Sequence, residues 1–409
     1  MTDFIKSLFH KYYRISFTLP EILSIYGREF GFVSFDGSMI RHIGFNTKNE
    51  LTAFIRNIVP RDAYFSCAYY ENPDEEMERK NWLGADLIFD IDADHIPTKC
   101  ERIHDKWVCH NCGFSGKGIT PERCPLCASE KLDAETWPCE ACLNSAKSEA
   151  IKLLDILQED FGFSKSELYV FFSGHRGYHI HVEADTIKTL DSAARKEIVD
   201  YVSGIGFDFY HFINKQTKTR ISLLFEQSVN FGWLKRLKEG LRAFLADAKE
   251  DDLKKIGLRR TTINSIIQKR NGLLKGLNDI NFGDWYNFKG IGSKTFEKLV
   301  EHVLTIESAK IDTVVTTDVH RLIRLPETLN SKTGFRKARV SLSRIEDFDP
   351  FKDAIAFKKG EVEVLVLDAP KFRIGDEIFG PYKNKKIELP IAAALLLVCR
   401  GRAEVVNDV

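Results

Sequence analysis

Hydrophobic residues run directly into a group of acids in the segment Leu87-Ile-Phe-Asp-Ile-Asp-Ala-Asp94. In a β-strand, side chains two residues apart project from the same face, about 6–7 Å from one another. A strand here would bring Asp90 and Asp92 together and turn Phe89 and Ile91 toward the core. The pattern therefore predicts a buried strand that presents two neighbouring carboxylates at its end.

A second strand pair is predicted around a tight basic turn. Residues 168–172 are apolar, and in residues 178–182 two histidines, His179 and His181, alternate with apolar side chains. The turn between them contains Ser173, Gly174, His175 and Arg176. A hydroxyl, a flexible backbone, a guanidinium and an imidazole together suit an oligophosphate. The two histidines could instead be zinc ligands, or only the polar face of an edge strand.

Periodicity predicts the remaining elements more coarsely. We expect a hairpin over residues 29–45 that turns at Asp36-Gly37, a strand over 64–70 and an amphipathic helix over 145–157. A Lys-rich and mainly helical stretch over 206–308, a further strand over 362–367 and a buried apolar helix over 391–398 are expected to follow. The last run is too short to span a bilayer, which takes about 20 residues.

Composition limits the class of protein without indicating a function. The 409 residues are 44% hydrophobic and 29% charged, which is ordinary for a globular chain of more than one domain. Lys plus Arg and Asp plus Glu both number 59, so net charge gives no argument for a nucleic-acid partner, and any basic surface must be local. The first residues do not resemble a signal peptide. We therefore expect an intracellular, cytoplasmic protein without a membrane segment.

Most of the nine cysteines are spaced like metal ligands. Cys109, Cys112, Cys124 and Cys127 form a C-x2-C-x11-C-x2-C pattern. Four thiolates hold Zn²⁺ tetrahedrally in closed, structural sites. Cys139 and Cys142 then need partners, for which Cys100 and His104 are the candidates, although His104 could be a surface histidine. Residues 100–142 are expected to fold around two zinc ions. Rubredoxin-like iron is the alternative to zinc.

Asp90 and Asp92 repel one another unless a cation lies between them. Hard ions such as Mg²⁺ take carboxylate oxygens together with substrate phosphates, and paired ions clamp the attacking and leaving oxygens in phosphoryl transfer. We interpret the strand end as such a metal site. A calcium loop is disfavoured because His95 occupies the position that requires glycine. A haloacid-dehalogenase-type phosphatase, whose strand also ends in Asp-x-Asp, and a strand end that is merely solvated remain alternatives.

A third acid and further basic residues follow much later in the chain. Asp318 comes after Val314-Val-Thr-Thr, for which we expect a strand, and Arg324 and Lys332 follow it. A metal strand with two carboxylates needs a distant third one, and the two cations could meet a triphosphate. Upstream, Gly290-Ile-Gly-Ser-Lys-Thr is similar to a helix–hairpin–helix turn, although a bare helix junction explains it more simply.

Three motifs thus occur in one order: FDIDAD, SGHRGYH and TTDVHRLIRLPETLNSKTG, with the cysteine pairs between the first two. In this the chain resembles the catalytic small subunit of archaeo-eukaryotic DNA primase, of the archaeal type. The likeness begins at REFGF and IRHIGF, within residues 28–45, and extends to Gly334, with the helical stretch as a variable insertion. Each motif alone is modest support, whereas their order and spacing together are specific.

The resemblance implies a compact α/β core of the α+β class, with mixed sheets. We assign residues 1–99, 143–205 and 309–409 to this catalytic core, residues 100–142 to a zinc-binding insertion and residues 206–308 to a mainly helical insertion. The family works with a large subunit that carries an iron–sulfur cluster, and this chain has no spare cysteine set for such a cluster.

The activity that the resemblance implies is two-metal nucleotidyl transfer, which starts RNA or DNA chains on a single-stranded DNA template from nucleoside triphosphates. The cofactor would be Mg²⁺ or Mn²⁺. The family's three metal-binding acids match Asp90, Asp92 and Asp318. Its nucleotide-binding positions match Arg41, Ser173, Gly174, His175, Arg176, His179, Arg324 and Lys332.

Three departures from the family pattern bear on these assignments. Asn330 stands where the family often has histidine, which puts a triphosphate contact there in doubt. His175 stands where a second arginine is frequent, which would make that contact sensitive to pH. The cysteine region is larger than usual, because a four-cysteine ribbon splits the family's single metal site. Two other functions remain: a repair-type primase-polymerase that extends existing ends, and a zinc-ribbon nucleic-acid-binding protein whose carboxylates are inert.

Overall fold

The computed structural model describes residues 3–21, 24–98, 100, 103–207, 231–279 and 291–406. The chain divides into two compact units, the first comprising residues 1–151, 164–196 and 311–409 and the second residues 152–163 and 197–310. The first unit contains the cysteine-rich segment and the three motifs. The finer domain boundaries drawn from the sequence stay predictions.

The described residues combine helices with antiparallel sheets, which is the expected α+β class. The helices are α1 (Asp3–Ile15), α2 (Lys48–Ile58), α3 (Glu140–Glu159), α4 (Asp185–Lys188), α5 (Ser192–Val202), α6 (Gly232–Asp247), α7 (Glu250–Lys255), α8 (Arg260–Asp279), α9 (Ser293–Glu307), α10 (Thr313–Thr317), α11 (Pro350–Asp353) and α12 (Ile391–Cys399). The strands are β1 (Phe30–Val33), β2 (Met39–Ile43), β3 (Asp62–Ser66), β4 (Ala68–Tyr70), β5 (Trp82–Ala85), β6 (Leu87–Asp92), β7 (Lys106–Cys109), β8 (Ser115–Lys117), β9 (Leu132–Glu135), β10 (Leu168–Phe172), β11 (Gly177–Val182), β12 (Leu322–Arg324), β13 (Arg339–Val340), β14 (Glu361–Ala369), β15 (Phe372–Ile374), β16 (Glu377–Phe379), β17 (Tyr382–Pro390) and β18 (Ala403–Val405).

Two four-stranded sheets belong to the first unit, with strand orders β12-β3-β1-β2 and β13-β10-β11-β6. Within the second of these sheets, Asp90 stands opposite His179 and Asp92 opposite Gly177. Every pairing among the described strands is antiparallel, so the expectation of mixed sheets is corrected. Tight turns join β1 to β2 and β10 to β11, and such turns can connect only antiparallel neighbours.

The run predicted as one strand over residues 64–70 is divided between two sheets. β3 pairs with β1 and β12, whereas β4 pairs with β5. Cys67 lies at the break, where its backbone N–H donates to the carbonyl of Arg321 at 2.8 Å and its own carbonyl accepts from the N–H of Asp86 at 3.0 Å. The division places β5 immediately before the acidic strand β6.

Helix α12 is apolar around its whole circumference, which is the pattern of a buried helix. Its residues from Ala392 to Val398 are all buried, and it packs on the sheet of β14, β17 and β18. The predicted buried helix is therefore observed. No helix in the described part of the chain has both the length and the apolar content to cross a membrane.

The second unit is helical, as its periodicity predicts. Leucine, isoleucine and valine side chains of α6, α8 and α9 form its hydrophobic core. The guanidinium of Arg236 pairs with Asp160 at 2.7 Å and with Asp155 at 2.8 Å. Helix α9 begins directly after Gly292, while Gly290 of the suspected helix–hairpin–helix turn lies outside the described residues.

Candidate active site

Asp90 and Asp92 lie on the more exposed face of an otherwise buried strand. In β6, Phe89 and Ile91 are completely buried, whereas both aspartates are partly exposed. The Asp92 carboxylate accepts a hydrogen bond from the backbone N–H of Asp94 at 2.9 Å, at the start of a short 3-10 turn. The strand and its outward acid pair are therefore as the hydrophobic pattern predicts.

A third carboxylate residue, Asp312, lies against this strand, although the sequence analysis did not select it. The backbone N–H of Asp312 donates to the carbonyl oxygen of Asp90 at 2.8 Å. Its Oδ1 accepts from the N–H of Val314 at 3.0 Å and so caps the N-terminus of α10, which packs on β6. An aspartate before a helix is a common N-cap, and this was the signal in the sequence that could have identified it.

Asp318 lies at the opposite end of α10. The β-branched run from Val314 to Thr317 predicts a strand, but it is helical because the Asp312 cap and packing on β6 outweigh its β propensity. The Asp318 carboxylate accepts from the N–H of His320 at 2.9 Å, and its carbonyl oxygen accepts from the Cys67 thiol at 3.6 Å. Asp318 as a metal ligand stays a prediction, and Asp312 is the better-placed candidate.

The pKa of the Asp90 carboxyl group is strongly raised. Burial, followed by the nearby carboxylates of Asp92 and Asp312, raises its pKa from 3.8 to about 7. Lys337 and Arg321 act in the opposite direction but do not offset these effects. A cation bound among the acids would favour the ionised form, so this cluster has the electrostatic character of a cation site.

The raised pKa predicts a gain in stability when Asp90 is replaced by asparagine. Between about pH 4 and pH 7 the folded state retains a proton that the unfolded chain has released, so this group destabilises the fold as pH rises through that window. Without Mg²⁺, Asp90→Asn should therefore be more stable than the wild type by about 2 kcal/mol at pH 8 and no more stable near pH 4. Urea unfolding at the two pH values measures this difference. The exposed Asp185, replaced in the same way, should show no such gain, and an equal gain there would contradict the assignment.

The turn between β10 and β11 approaches the acidic strand closely. The Ser173 hydroxyl accepts from the backbone N–H groups of His175 and Gly177, each at 3.2 Å. A Cβ on Gly177 would lie 2.1 Å from the carbonyl oxygen of Ile91, so only glycine fits at this strand end. Gly174 has φ +82° and faces Asn330, whose Cβ would lie 3.0 Å from an added side chain. The two glycines let this turn fit between β6 and the turn 330–334.

Cationic side chains gather beside His175. Burial, together with nearby Arg400, Lys332 and Arg324, holds the pKa of His175 well below its ordinary range. The imidazole is therefore neutral at pH 7. We expect its charge not to change near neutrality, in contrast to the pH-sensitive contact that the sequence suggested. Lys332 is exposed, whereas Arg324 is largely buried and donates to Asp62 at 2.7 Å.

Asn330 organises the polar turn that follows β12. Its Oδ1 accepts from the N–H of Lys332 at 2.9 Å, and its backbone N–H donates to the carbonyl of Phe335 at 2.8 Å. The side chain is nearly buried, at 5% exposure. Asn330 therefore shapes the turn that presents Lys332, in keeping with the doubt about a triphosphate contact at this position.

Two predicted phosphate contacts, Arg41 and Arg176, are held in ion pairs. Arg41 donates through Nε to the buried Glu29 at 3.0 Å and keeps 38% of its side chain exposed. Arg176 is completely buried and pairs with Asp94 and Asp105. Arg41 therefore retains access to solvent, whereas Arg176 does not.

His179 and His181 have different surroundings although they share one face of β11. His179 Nε2 lies 3.4 Å from Asp90 Oδ1, beside the acids. His181 Nε2 lies 3.4 Å from the ammonium group of Lys337, which is also completely buried. Neither histidine belongs to a group of metal-ligating atoms within the described residues. The position of His179 agrees with a role beside the metal strand rather than in a zinc site.

Two groups of four side chains have the geometry of zinc sites, and both were predicted. In each group all four ligand atoms lie within 4.8 Å of one another. The groups are Cys100, His104, Cys139 and Cys142, and Cys109, Cys112, Cys124 and Cys127. In the second group, Cys109 and Cys127 have their sulfurs 3.6 Å apart, as do Cys112 and Cys124. Tetrahedral zinc with bonds of about 2.3 Å requires sulfurs about 3.8 Å apart, whereas a disulfide has about 2.05 Å. The residues therefore fit zinc.

Removal of zinc is expected to loosen the cysteine-rich segment before the acidic strand. Strands β7, β8 and β9 are short and pair only with one another in the described residues, so ligand bonds must supply much of their stability. After treatment with a strong chelator, amide hydrogen exchange in residues 103–135 should accelerate by at least about tenfold, while exchange in β6 and β11 changes less. Equal acceleration in both regions, or none in either, would contradict a structural role for metal here.

Three acids beside a glycine-containing turn, with a hydroxyl and several cations, are typical of enzymes that transfer phosphoryl or nucleotidyl groups with divalent ions. Comparison with known proteins narrows this class. A family model described as the DNA primase small subunit matches residues 129–342.

Curated relatives named DNA primase small subunit match nearly the whole chain. The relative from Nitrosopumilus maritimus is 32% identical over 405 residues, which cover 98% of each chain. Those from Methanothrix thermoacetophila and Thermoplasma volcanium are also 32% identical, covering 99% of this chain and 98% and 99% of theirs. The chain belongs to the DNA primase small subunit family, which confirms the resemblance drawn from the three motifs.

Proposed function

We propose that this protein is the catalytic subunit of a DNA primase, which joins nucleotides into short RNA, or DNA, primers on single-stranded DNA. The observation that carries this proposal is the juxtaposition of Asp90, Asp92 and Asp312 with the turn 173–177, in a chain of this family. The reaction would be a template-directed nucleotidyl transfer that needs no pre-existing primer.

Asp90, Asp92 and Asp312 are the residues that would hold Mg²⁺ or Mn²⁺. Carboxylate oxygens are the donors that these hard ions prefer. Burial, followed by the charges of Asp92 and Asp312, raises the pKa of Asp90, and a bound cation would favour its ionised form. Within the described residues, the ligand atoms of these three acids do not all lie within 4.8 Å of one another, unlike those of the two cysteine groups, so the bound ions would need further ligands, which substrate phosphates can supply. When bound, two such ions would activate the primer hydroxyl and stabilise charge on the transferring phosphate.

The protein's own residues would bind and orient the triphosphate. The exposed ammonium group of Lys332 and the guanidinium of Arg41 can neutralise phosphate charge, and the largely buried Arg324 would add positive charge near Lys332 and the turn 173–177. Their electrostatic effect is worth most where negative charge develops during the transfer.

The relatives' name also supports a proposal about partners. Because they are called small subunits, we propose that this chain pairs with a large subunit, which in this family carries the iron–sulfur cluster, as a heterodimer. Single-stranded DNA and nucleoside triphosphates are the proposed substrates. Two zinc ions are the proposed structural metals.

The test supplies purified protein with unprimed single-stranded DNA, labelled ATP and Mg²⁺ or Mn²⁺, beside the same reaction with an added primer. Labelled oligomers on the unprimed template are the expected result. Extension of the added primer alone would instead indicate a polymerase that needs its large subunit to start, or one of the repair type. No incorporation in either reaction would instead favour a zinc-ribbon nucleic-acid-binding protein without catalytic activity.

A further inference from the structure

Asp105 links one of the two groups that fit zinc to the turn 173–177. Its carboxylate is nearly buried, at 4% exposure. It accepts a hydrogen bond from the backbone N–H of Trp137 at 2.8 Å, and the ring of His104 donates to it through Nδ1 at 2.7 Å. The guanidinium of Arg176 donates to both oxygens, at 3.0 and 2.8 Å. The Asp105 carboxylate thus contacts both His104, which belongs to a group that fits zinc, and Arg176 in the turn 173–177.

On one side, Asp105 sets the orientation of His104. The Nε2 atom of His104 lies 3.1 Å from the sulfur of Cys139 and 3.3 Å from that of Cys100, so this nitrogen faces the group that fits zinc. A metal-binding histidine commonly donates its other ring N–H to a carboxylate, which fixes its tautomer and strengthens the ligand. Asp105 occupies that position.

On the other side, Asp105 holds Arg176, which is completely buried. One amino group of this guanidinium pairs with Asp105 and the other with Asp94. The Asp94 backbone N–H in turn donates to the Asp92 carboxylate at 2.9 Å. Nη1 of this guanidinium donates to Asp105, whereas Nη2 lies against Asp94 and makes no hydrogen bond within the described residues. The buried side chain thereby ties the turn 173–177 to the loop that follows the acidic strand.

We propose that Asp105 is a positioning residue through which the group of Cys100, His104, Cys139 and Cys142, when it holds zinc, fixes the nucleotide-binding turn 173–177. Arg176 is then a positioning residue of the same network rather than a phosphate contact. The inference rests on the proposed function for its statement that this turn binds a nucleoside triphosphate. It predicts that loss of zinc from this group, but not from the ribbon of Cys109, Cys112, Cys124 and Cys127, weakens nucleotide binding.

The test replaces Asp105 by asparagine, which preserves size but removes the charge that compensates Arg176. Two quantities are measured on the full chain without reference to synthesis: the rate of zinc release to a chromophoric chelator, and the Kd of ATP with Mn²⁺. We expect release of one of two zinc ions to accelerate at least about tenfold, in line with the loss of a carboxylate behind a histidine ligand. The Kd of ATP should rise about tenfold, and the conservative Asp105→Glu should recover part of both losses.

Asp349→Asn provides a matched control. Asp349 also binds an arginine through both oxygens, with Arg373 donating at 2.9 and 3.0 Å, and Arg373 also pairs with Glu140, next to Cys139. This pair does not contact the turn 173–177 within the described residues. Asp349→Asn should therefore change neither zinc release nor ATP binding. Equal effects from both variants would overturn the proposal, as would Asp105→Asn with wild-type values.

Ligand variants decide the question if Asp105→Asn does not fold. Cys100→Ser should weaken ATP binding, while Cys112→Ser in the ribbon should leave it within about threefold of wild type. Equal ATP affinity in both variants would overturn the coupling. A wild-type chain that binds ATP but neither starts primers nor extends an added one contradicts the proposed function instead, and the ATP affinities of the variants still decide this inference.

Discussion

Replacing Asp92 by alanine is expected to lower primer synthesis by on the order of 10³-fold while leaving the fold and the zinc content unchanged. Asp92 lies at the partly exposed end of β6, and the side chains of this strand that pack in the core are others, such as Phe89 and Ile91. Loss of this carboxylate removes a ligand for the proposed ions, and losses of this size follow when a group that stabilises transition-state charge is removed. Rates of labelled nucleotide incorporation measure the effect.

The control for this prediction is Asp185→Ala. Asp185 is an aspartate of the same unit whose side chain is 95% exposed and pairs only with Lys188 among the described residues. It should retain full activity. If Asp92→Ala keeps more than about a tenth of the wild-type rate with normal zinc content, the metal site is not at this strand end.

Replacing Asp312 by asparagine is expected to lower synthesis by on the order of 10²-fold without loss of stability. Asparagine caps a helix N-terminus as well as aspartate does, so the hydrogen bond to Val314 that starts α10 is retained. The charge beside Asp90 is lost. Activity and thermal unfolding, measured on the same preparation, separate the two roles of this side chain.

Asp318→Asn is the matched comparison, since it changes the same group at the other end of the same helix. We expect it to keep activity within about threefold of the wild type. The opposite result, with Asp318→Asn inactive and Asp312→Asn active, would restore Asp318 as the third acid and contradict the position assigned to Asp312.

The parts of the site that could be predicted from the sequence are those in which chemistry follows local pattern. Alternation along β6 places Asp90 and Asp92 together, and a tight turn obliges β10 and β11 to pair. Cysteine spacing predicts the group of four cysteines, and the remaining pair Cys139 and Cys142 predicts the second group, with Cys100 and His104 as its other ligands. In each of these the decisive residues lie close together in the chain.

Other parts depended on packing between distant segments. The run 314–317 has strand propensity, yet a cap and a neighbouring strand make it helical. The strand prediction therefore pointed to Asp318 and not to Asp312, whose backbone N–H donates to the carbonyl of Asp90. Arg176 was predicted to contact phosphate, which stays a prediction, and the sequence gives no sign that Asp105, 71 residues away in the chain, binds it in the interior. Mixed sheets were expected from the resemblance, whereas the described strands all pair in antiparallel fashion.

Anomalous diffraction from crystals of the protein grown with Mn²⁺ and a non-hydrolysable nucleoside triphosphate would locate the proposed catalytic ions. We expect two manganese peaks about 3.5–4 Å apart, with ligand oxygens from Asp90, Asp92 and Asp312 and with the triphosphate beside the turn 173–177. Manganese bound by Asp318 and not by Asp312, or bound away from β6 altogether, would contradict this expectation.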